Sequence, residues 1–232
     1  MTEPVGCTSV DANLLQVSEL FYSIQGESTR AGLPCLFIRL SGCGLRCSYC
    51  DAAYTWKEPG TAYSVSSLYD WATGHGCKLV ELTGGEPLQQ EGAYVLMQAL
   101  LAGGMEVLLE SNGSIVIDQV PLGVGVILDV KCPGSGMAAH WHSANMDLLR
   151  SRAQQGSRDE LKFVLSGAQD FHWALDFIRQ YQVEGLLPIL FSPIQPRFPL
   201  QELAELMLRH QAPARLQVQL HTLIWPGVQR GV

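Results

Sequence analysis

Apolar residues along this chain fall into short runs that end in polar, glycine-rich turns, and the runs alternate with segments of helical period. ELFYSIQGES leads into LPCLFIRLSGC, a buried strand feeding a loop rich in cysteine. Ser64 is the N-cap of a helix predicted over Val65 to Thr73 and stopped by Gly74 and Gly76. KLVELTGG is a short strand closed by two glycines; EGAYVLMQALLAGG is a helix with apolar positions recurring at three and four. MEVLLESNGS and GVGVILDVKCP are strand-like, and a helix follows near Asn145 to Gln154. ELKFVLSG reads as a strand, AQDFHWALDFIRQY as an amphipathic helix, LLPILFSPI as a strand, PLQELAELMLRHQ as a helix and LQVQLHTLI as a final strand.

Strands that alternate with helices pair in parallel through right-handed crossovers, so the pattern predicts an α/β layer or barrel. The polar signatures SGC, TGGEP, ESNG, DVKCPGSG and FSPIQP sit where apolar strands run out. In parallel α/β folds that end binds ligands. Two stretches without period, Asp51 to Tyr63 and Cys132 to Ala144, are candidates for a lid or for dimer contacts. No repeat or linker divides the chain, which is expected to form one domain over residues 1–232 with a loose tail of about 12 residues.

The 232 residues are 47% hydrophobic and 16% charged, ordinary for a globular protein with a full core. A net charge of −7 with no run of lysine or arginine disfavours nucleic acid and anionic membranes as partners. The N-terminal sequence has no basic segment followed by an apolar one, and no apolar run is long enough to span a bilayer. A cytoplasmic location is expected, where clustered cysteines point to metal or catalysis.

Three of the seven cysteines, Cys43, Cys47 and Cys50, have the spacing C-x3-C-x2-C. Thiolates suit iron–sulfur clusters, zinc or copper(I). A [4Fe–4S] cluster held by three cysteines keeps one iron open for a chelating molecule. The alternatives are inert thiols, or a zinc site completed by a distant His75 or His221. Structural zinc sites bring a second ligand pair, and His140 and His142 have the wrong spacing for one.

C-x3-C-x-aromatic-C, with Tyr49 as the aromatic, resembles the signature of the radical S-adenosylmethionine (SAM) superfamily, and LTGGEPL resembles its GGEP segment. Nearly the whole chain is similar to the 7-carboxy-7-deazaguanine synthase family. FYSIQGES, GLPCLFIRLSGCGLRCSYCD, LTGGEPL, ESNG, DVKCPGSG, SPIQP and the late QLH occur in that family's order. The resemblance implies a modified partial (β/α) barrel with a mostly parallel sheet. It implies a [4Fe–4S] cluster on Cys43, Cys47 and Cys50, with SAM chelated to the open iron and cleaved to a 5′-deoxyadenosyl radical. Ser48, Tyr49, Gly84, Gly85, Glu86, Ser111, Asn112, Lys131, Ser135 and Gln195 fall on positions assigned to SAM. Glycine at 84 and 85 fits a close backbone approach to a ligand. As a bland reading, Ser111, Lys131 and Ser135 are turn residues capping exposed backbone.

The implied substrate is 6-carboxy-5,6,7,8-tetrahydropterin, converted to 7-carboxy-7-deazaguanine with loss of ammonia on the way to queuosine and related deazapurines. Ile24, Gln25, Gly26, Glu27, Arg39, Asp51, Thr83 and His221 fall on substrate positions. Arg39, whose planar fork matches a carboxylate, lies in an apolar strand and needs a partner. Its alternative is an internal ion pair with Glu27 or Asp51, and for His221 the alternative is a core histidine at a strand end. Two departures stand out. Ala52 replaces a threonine whose hydroxyl helps hold Mg²⁺ in the family, so a weakened metal dependence is expected. Ser28 replaces a glycine, a milder change. The sequence also runs six residues past Pro226, which puts a family role for a terminal carboxylate in doubt. Family analogy adds a flavodoxin-type electron donor and a homodimer. The rival readings are another small radical SAM enzyme, such as a glycyl-radical activase, and a binding protein without turnover. Cys7, Cys35, Cys77 and Cys132 are taken as structural thiols.

Overall fold

The computed structural model describes residues 14–232; the loose tail expected at the start and Cys7 lie outside the described residues. Strands β1 (Leu14–Ile24), β2 (Pro34–Leu40), β3 (Thr61–Ser64), β4 (Leu79–Gly84), β5 (Glu106–Ser111), β6 (Gly125–Asp129), β7 (Glu160–Leu165), β8 (Ile189–Pro193) and β9 (Arg215–Leu216) form one sheet. Helices α1 (Tyr54–Lys57), α2 (Val65–Thr73), α3 (Gly92–Ala102), α4 (Ala144–Gln154), α5 (Ala168–Tyr181), α6 (Leu200–His210) and α7 (Leu220–Ile224) connect and flank it. The strand order is β3-β1-β2-β4-β5-β6-β7-β8-β9. From β2 onward every pair is parallel and the strands follow chain order, the winding of an incomplete (β/α) barrel. At the other edge β1 pairs antiparallel with both β2 and β3, which strict alternation did not predict.

Parity divides the two faces of the sheet. Leu36, Ile38, Leu40, Val80, Leu82, Val107, Leu109, Val126, Leu128, Leu161 and Phe163 pack with Leu68, Leu96, Leu149 and Phe171 of the helices in the main core. The alternate positions carry a small apolar floor of Phe21, Cys35, Phe37, Leu79, Leu108 and Ile127. On that same parity Arg39, Glu81, Thr83, Glu110, Asp129 and Lys162 follow toward the strand ends. The site therefore lies on the inner face of the part-barrel.

Ser64 caps α2 as predicted, its hydroxyl accepting from the Ser67 N–H at 3.1 Å. The stretch from Asp51 to Tyr63 contains α1 and most of β3, and the one after Cys132 contains two short 3₁₀ turns. The last expected strand is a correction. Only Arg215 and Leu216 of that region pair with β8, and LHTLI is the helix α7. The alternation of LQVQL imitates a strand, but Gln217 turns inward to hold the backbone of Ser28, accepting from its N–H at 3.1 Å and donating to its carbonyl at 2.9 Å.

That clamp belongs to the β1–β2 connection, residues 25–33, which crosses the open side of the sheet. Gln25 donates to Glu81, the Thr29 N–H donates to Glu160 at 3.0 Å, and Arg30 donates to Glu106 at 2.7 Å. One loop thus reaches β4, β5 and β7 and closes the floor of the part-barrel. Ser28 sits in it at φ +65°, a left-handed conformation that glycine adopts without strain, and its hydroxyl accepts from the Arg30 N–H at 3.0 Å. Relief of that strain opposes the lost hydrogen bond and the greater freedom of an unfolded glycine. Ser28→Gly is therefore expected to leave stability nearly unchanged. Ser28→Ala, which keeps the strain and loses the bond, is expected to cost about 1 kcal/mol in urea denaturation.

Candidate active site

The cysteine loop follows β2 directly. Cys43, Cys47 and Cys50 are half-buried free thiols. The Leu45 N–H and Asn112 Nδ2 reach Cys43 Sγ at 3.4 and 3.6 Å, the kind of N–H···S contact that supports a bound thiolate. Burial pushes the Cys43 and Cys47 thiols up, while the Lys131 ammonium works in the opposite direction. Among the described residues no three Cys, His, Asp or Glu side chains converge on a point that one ion would fill. Three soft donors in one short loop suit a group that presents several metal atoms.

The loop is anchored to the strand ends around it. Ser48 donates its hydroxyl to the Gly134 carbonyl at 2.8 Å and its N–H to the Ser135 carbonyl at 3.0 Å, and the Tyr49 hydroxyl donates to the Val164 carbonyl at 3.2 Å. The Glu86 N–H donates to the Gly42 carbonyl at 2.8 Å. A Cβ at Gly84 would strike the Leu40 backbone, and one at Gly85 the Gly42 carbonyl. Glycine at both positions is thus already required by the protein's own packing, against the end of β2 at 84 and against the cysteine loop at 85, whether or not a ligand also approaches there.

Glu86 is fully buried and accepts from the N–H groups of Leu88 and Asn112 and from the Ser111 hydroxyl, at 3.1, 2.8 and 3.0 Å. Burial raises its pKa to about 7 against the pull of those donors. Its carboxyl fastens the end of β4 to the end of β5. Ser111 is committed to Glu86, Ser135 donates to the Cys132 carbonyl at 2.6 Å, and Lys131 pairs with Asp129 at 2.6 Å. Gln195 donates to the Phe198 carbonyl at 3.1 Å. These side chains carry structural duties whatever else they bind.

Deeper on the inner face lies a charge network that sequence reasoning missed. Lys162, with 4% of its side chain exposed, pairs with Glu27 at 2.9 Å, with Glu110, and more distantly with Asp129 at 3.7 Å. Gln219 donates to the other Glu27 oxygen at 2.9 Å, and Thr83 to Glu110 at 3.2 Å. Burial alone would raise the Glu110 pKa, but Lys162 and the further cations Lys131 and Arg39 outweigh it and hold it near about 2. Glu81 has no such neighbour in contact. Burial, with Glu110 nearby, lifts it to about 8, so it is largely protonated at neutral pH beneath Gln25. A carboxyl raised from 4.5 to about 8 contributes stability that is fully present below 4.5 and lost as pH rises through about 8. Glu81→Gln is expected to flatten the fall in thermal stability across that window and to make the chain the more stable form at its alkaline end.

Arg39 meets neither of the two partners considered from sequence. A bulge between Val17 and Glu19 switches the parity of β1, so Leu15 and Val17 face the helices while Glu19 and Phe21 face inward. Glu19 thereby stands beside Arg39, its carboxylate 3.5 Å from Nε, and Nε makes no hydrogen bond. Phe21 stacks on Phe37 with centroids 4.7 Å apart and lies 5.6 Å from the guanidinium carbon. The pairing with Glu19 leaves donors to spare.

The radical SAM superfamily model matches residues 37–122, from β2 past the cysteine loop and the double glycine. The 7-carboxy-7-deazaguanine synthase of Chlorobaculum tepidum is 42% identical over 218 residues, covering 94% of this chain and 97% of that protein. This chain belongs to the 7-carboxy-7-deazaguanine synthase family. The synthase of Koribacter versatilis is 37% identical over 94% of this chain and all of its own length. The crystal structure of QueE from Escherichia coli has the same fold, with a TM-score of 0.68 and 21% identity over 89% of this chain and 94% of that one.

Several of the residues expected from sequence to meet a substrate lie near one another on the inner face. Ile24 ends β1, and Gln25, Gly26 and Glu27 open the crossing loop over the inner face, opposite Thr83 and Arg39. His221 packs against Gly26, 3.3 Å from where a Cβ would stand, and the Leu220 N–H donates to the Gly26 carbonyl at 3.1 Å. His221 is therefore the second residue of a short helix rather than the end of a strand. Asp51 is exposed, at the outer edge of the cysteine loop.

Proposed function

We propose that this chain converts 6-carboxy-5,6,7,8-tetrahydropterin to 7-carboxy-7-deazaguanine with loss of ammonia, supplying queuosine and related deazapurines. The observation that carries this reading is Arg39, under-satisfied and on the same inner face as the Gln25–Glu27 turn, next to a loop of three thiols. Such a face offers a fork for the substrate carboxylate and amide and carboxyl groups for a pterin edge. Glu110, held ionised and 27% exposed, adds an acceptor for ring N–H groups.

Cys43, Cys47 and Cys50 would hold a [4Fe–4S] cluster, which with bound SAM supplies one-electron cleavage to a carbon radical able to abstract hydrogen. Ser48 and Tyr49 keep the loop seated, and the Gly84–Glu86 backbone, Ser111, Asn112, Lys131, Ser135 and Gln195 would line the SAM site. Asp129 Oδ1, buried and without a protein donor, is an open acceptor beside Lys131. The inner face does the positioning: Arg39 fixes the carboxylate, while Gln25, Glu27, Thr83 and His221 frame the bicycle. Arg39 beside the Gln25–Glu27 turn favours a small carboxylated substrate over the protein strand that a glycyl-radical activase takes.

Magnesium does not fit this chain as it fits the family. Ala52 has no side-chain oxygen, and the nearby Thr55 hydroxyl is engaged, donating to the Ala52 carbonyl at 2.8 Å. Activity is expected to depend only weakly on Mg²⁺, with Ala52→Thr introducing a saturable dependence; titrating turnover against the metal checks both. A homodimer, a flavodoxin-type reductant and a cytoplasmic setting are carried from the family alone. No helix among the described residues is long and apolar enough to cross a membrane.

The test is an anaerobic reaction of reconstituted protein with SAM, reductant and the carboxypterin, read by mass spectrometry. A deazaguanine carboxylate with SAM largely unconsumed supports the reading. Slow release of 5′-deoxyadenosine without that product would replace the substrate, and no SAM cleavage from an assembled cluster would defeat the enzyme reading.

A further inference from the structure

Residues 225–231 lead from α7 back to α1 and β1. Arg230 Nη2 donates to Glu58 Oε1 at 2.5 Å, and its guanidinium carbon lies 4.3 Å from the Tyr54 ring centroid. The next residue completes the contact, the Gly231 N–H donating to Glu19 Oε2 at 2.9 Å. The Tyr54 hydroxyl donates to the other oxygen of Glu19, which is the oxygen 3.5 Å from Arg39 Nε. Glu19 is thus held from two sides while its charge neutralises Arg39. Its side chain is only 10% exposed, so water contributes little to holding it.

The geometry points to Arg230 as a positioning residue for carboxylate recognition, acting through Glu19. The inference rests on the assignment of Arg39 to the substrate carboxylate. Glu19 and that carboxylate compete for one guanidinium. Hydrogen bonds from Tyr54 and Gly231 satisfy Glu19 without Arg39, so Arg39 is released to the ligand at low cost. Arg230, stacked on Tyr54 and paired with Glu58, keeps the Gly231 N–H in place. When that anchor is lost, Glu19 falls back on Arg39 and the incoming carboxylate must displace it. The anchor is half-exposed, 50% for Arg230 and 55% for Glu58, so the effect is modest and salt-sensitive.

The experiment uses the full chain with cluster and SAM in place. The dissociation constants of pterin-6-carboxylate and of pterin are measured by fluorescence titration, and the constant for pterin divided by that for pterin-6-carboxylate is the carboxylate preference. Arg230→Ala is expected to lower that ratio about fivefold without changing pterin binding, and Arg230→Lys to restore most of it. In a Glu19→Gln background, where the competing charge is gone, Arg230→Ala is expected to have little further effect. An unchanged ratio, equal weakening of both ligands, or an undiminished effect in the Glu19→Gln background would overturn the inference. Wild-type protein that binds both ligands but shows no preference would instead overturn the carboxylate assignment of Arg39, and the role of Arg230 with it.

Discussion

Replacing Lys162 with methionine is expected to cost about 3–5 kcal/mol of stability and to abolish turnover. The ammonium is buried among Glu27, Glu110 and Asp129, and methionine fills much the same volume without charge. Three carboxylates would then face one another with little water between them, where at least one must bind a proton or move away. The pH dependence identifies the mechanism. In the native protein Glu110 is held near about 2, so its contribution to stability is present above the unfolded value of 4.5 and lost as pH falls toward about 2. Without Lys162 the folded pKa rises above 4.5, and protonation stabilises the variant instead. The gap between the two urea midpoints should narrow from neutral pH toward pH 5, and Glu110→Gln in the variant should recover part of the loss. A gap independent of pH would mean that lost packing, not charge, dominates.

How the network escaped notice shows what this sequence makes legible. The cysteine loop and TGGEP could be read because their chemistry is local: three thiols within eight residues, and a double glycine at a strand end. Helices such as α2 and α5 could be read because each carries its own period and, for α2, its own cap. Glu27, Glu110 and Lys162 lie on different elements, 52 and 135 residues apart along the chain, and meet only once β5 and β7 share a sheet with the crossing loop above them. A signal was nevertheless present. LVELT, LLES and ILDV each place one charged residue in an apolar strand and ELKF places two, all on the same parity once the strands are aligned. A charge in a buried strand requires a partner. The requirement that holds for Arg39 holds equally for these residues and points to the whole face. The end of the chain was less accessible, because the period-two pattern of LQVQL arises from Gln217 holding a distant turn rather than from a ladder. Nothing local marks Glu19 as the partner of Arg39 either; a bulge in β1 is what turns it inward.

The second large effect concerns Arg39 itself. Arg39→Ala is expected to lower kcat/KM for the carboxypterin about 100-fold or more, and Arg39→Lys about tenfold or more, because an ammonium keeps the charge but loses the planar two-point grip. The partition between the constants carries the argument. If Arg39 only captures the carboxylate, the loss falls on KM and kcat is unchanged. The carboxylate is attached to C6, and if hydrogen is abstracted at that carbon a loosened grip also moves the reacting atom; a displacement of about 1 Å at such a centre costs about 100-fold in rate. Arg39→Lys should therefore lower kcat as well as raise KM, and should release 5′-deoxyadenosine that is not matched by deazaguanine, since SAM cleavage would outrun productive abstraction. Glu19 makes the alternative distinguishable: if Arg39 serves only to neutralise Glu19, the paired change Arg39→Ala with Glu19→Gln should restore carboxypterin turnover. The spare donors on Arg39 predict that it does not. Retained turnover in that pair would mean that another cation on the inner face receives the carboxylate, and Lys131, beside the open oxygen of Asp129, would be the next residue to replace.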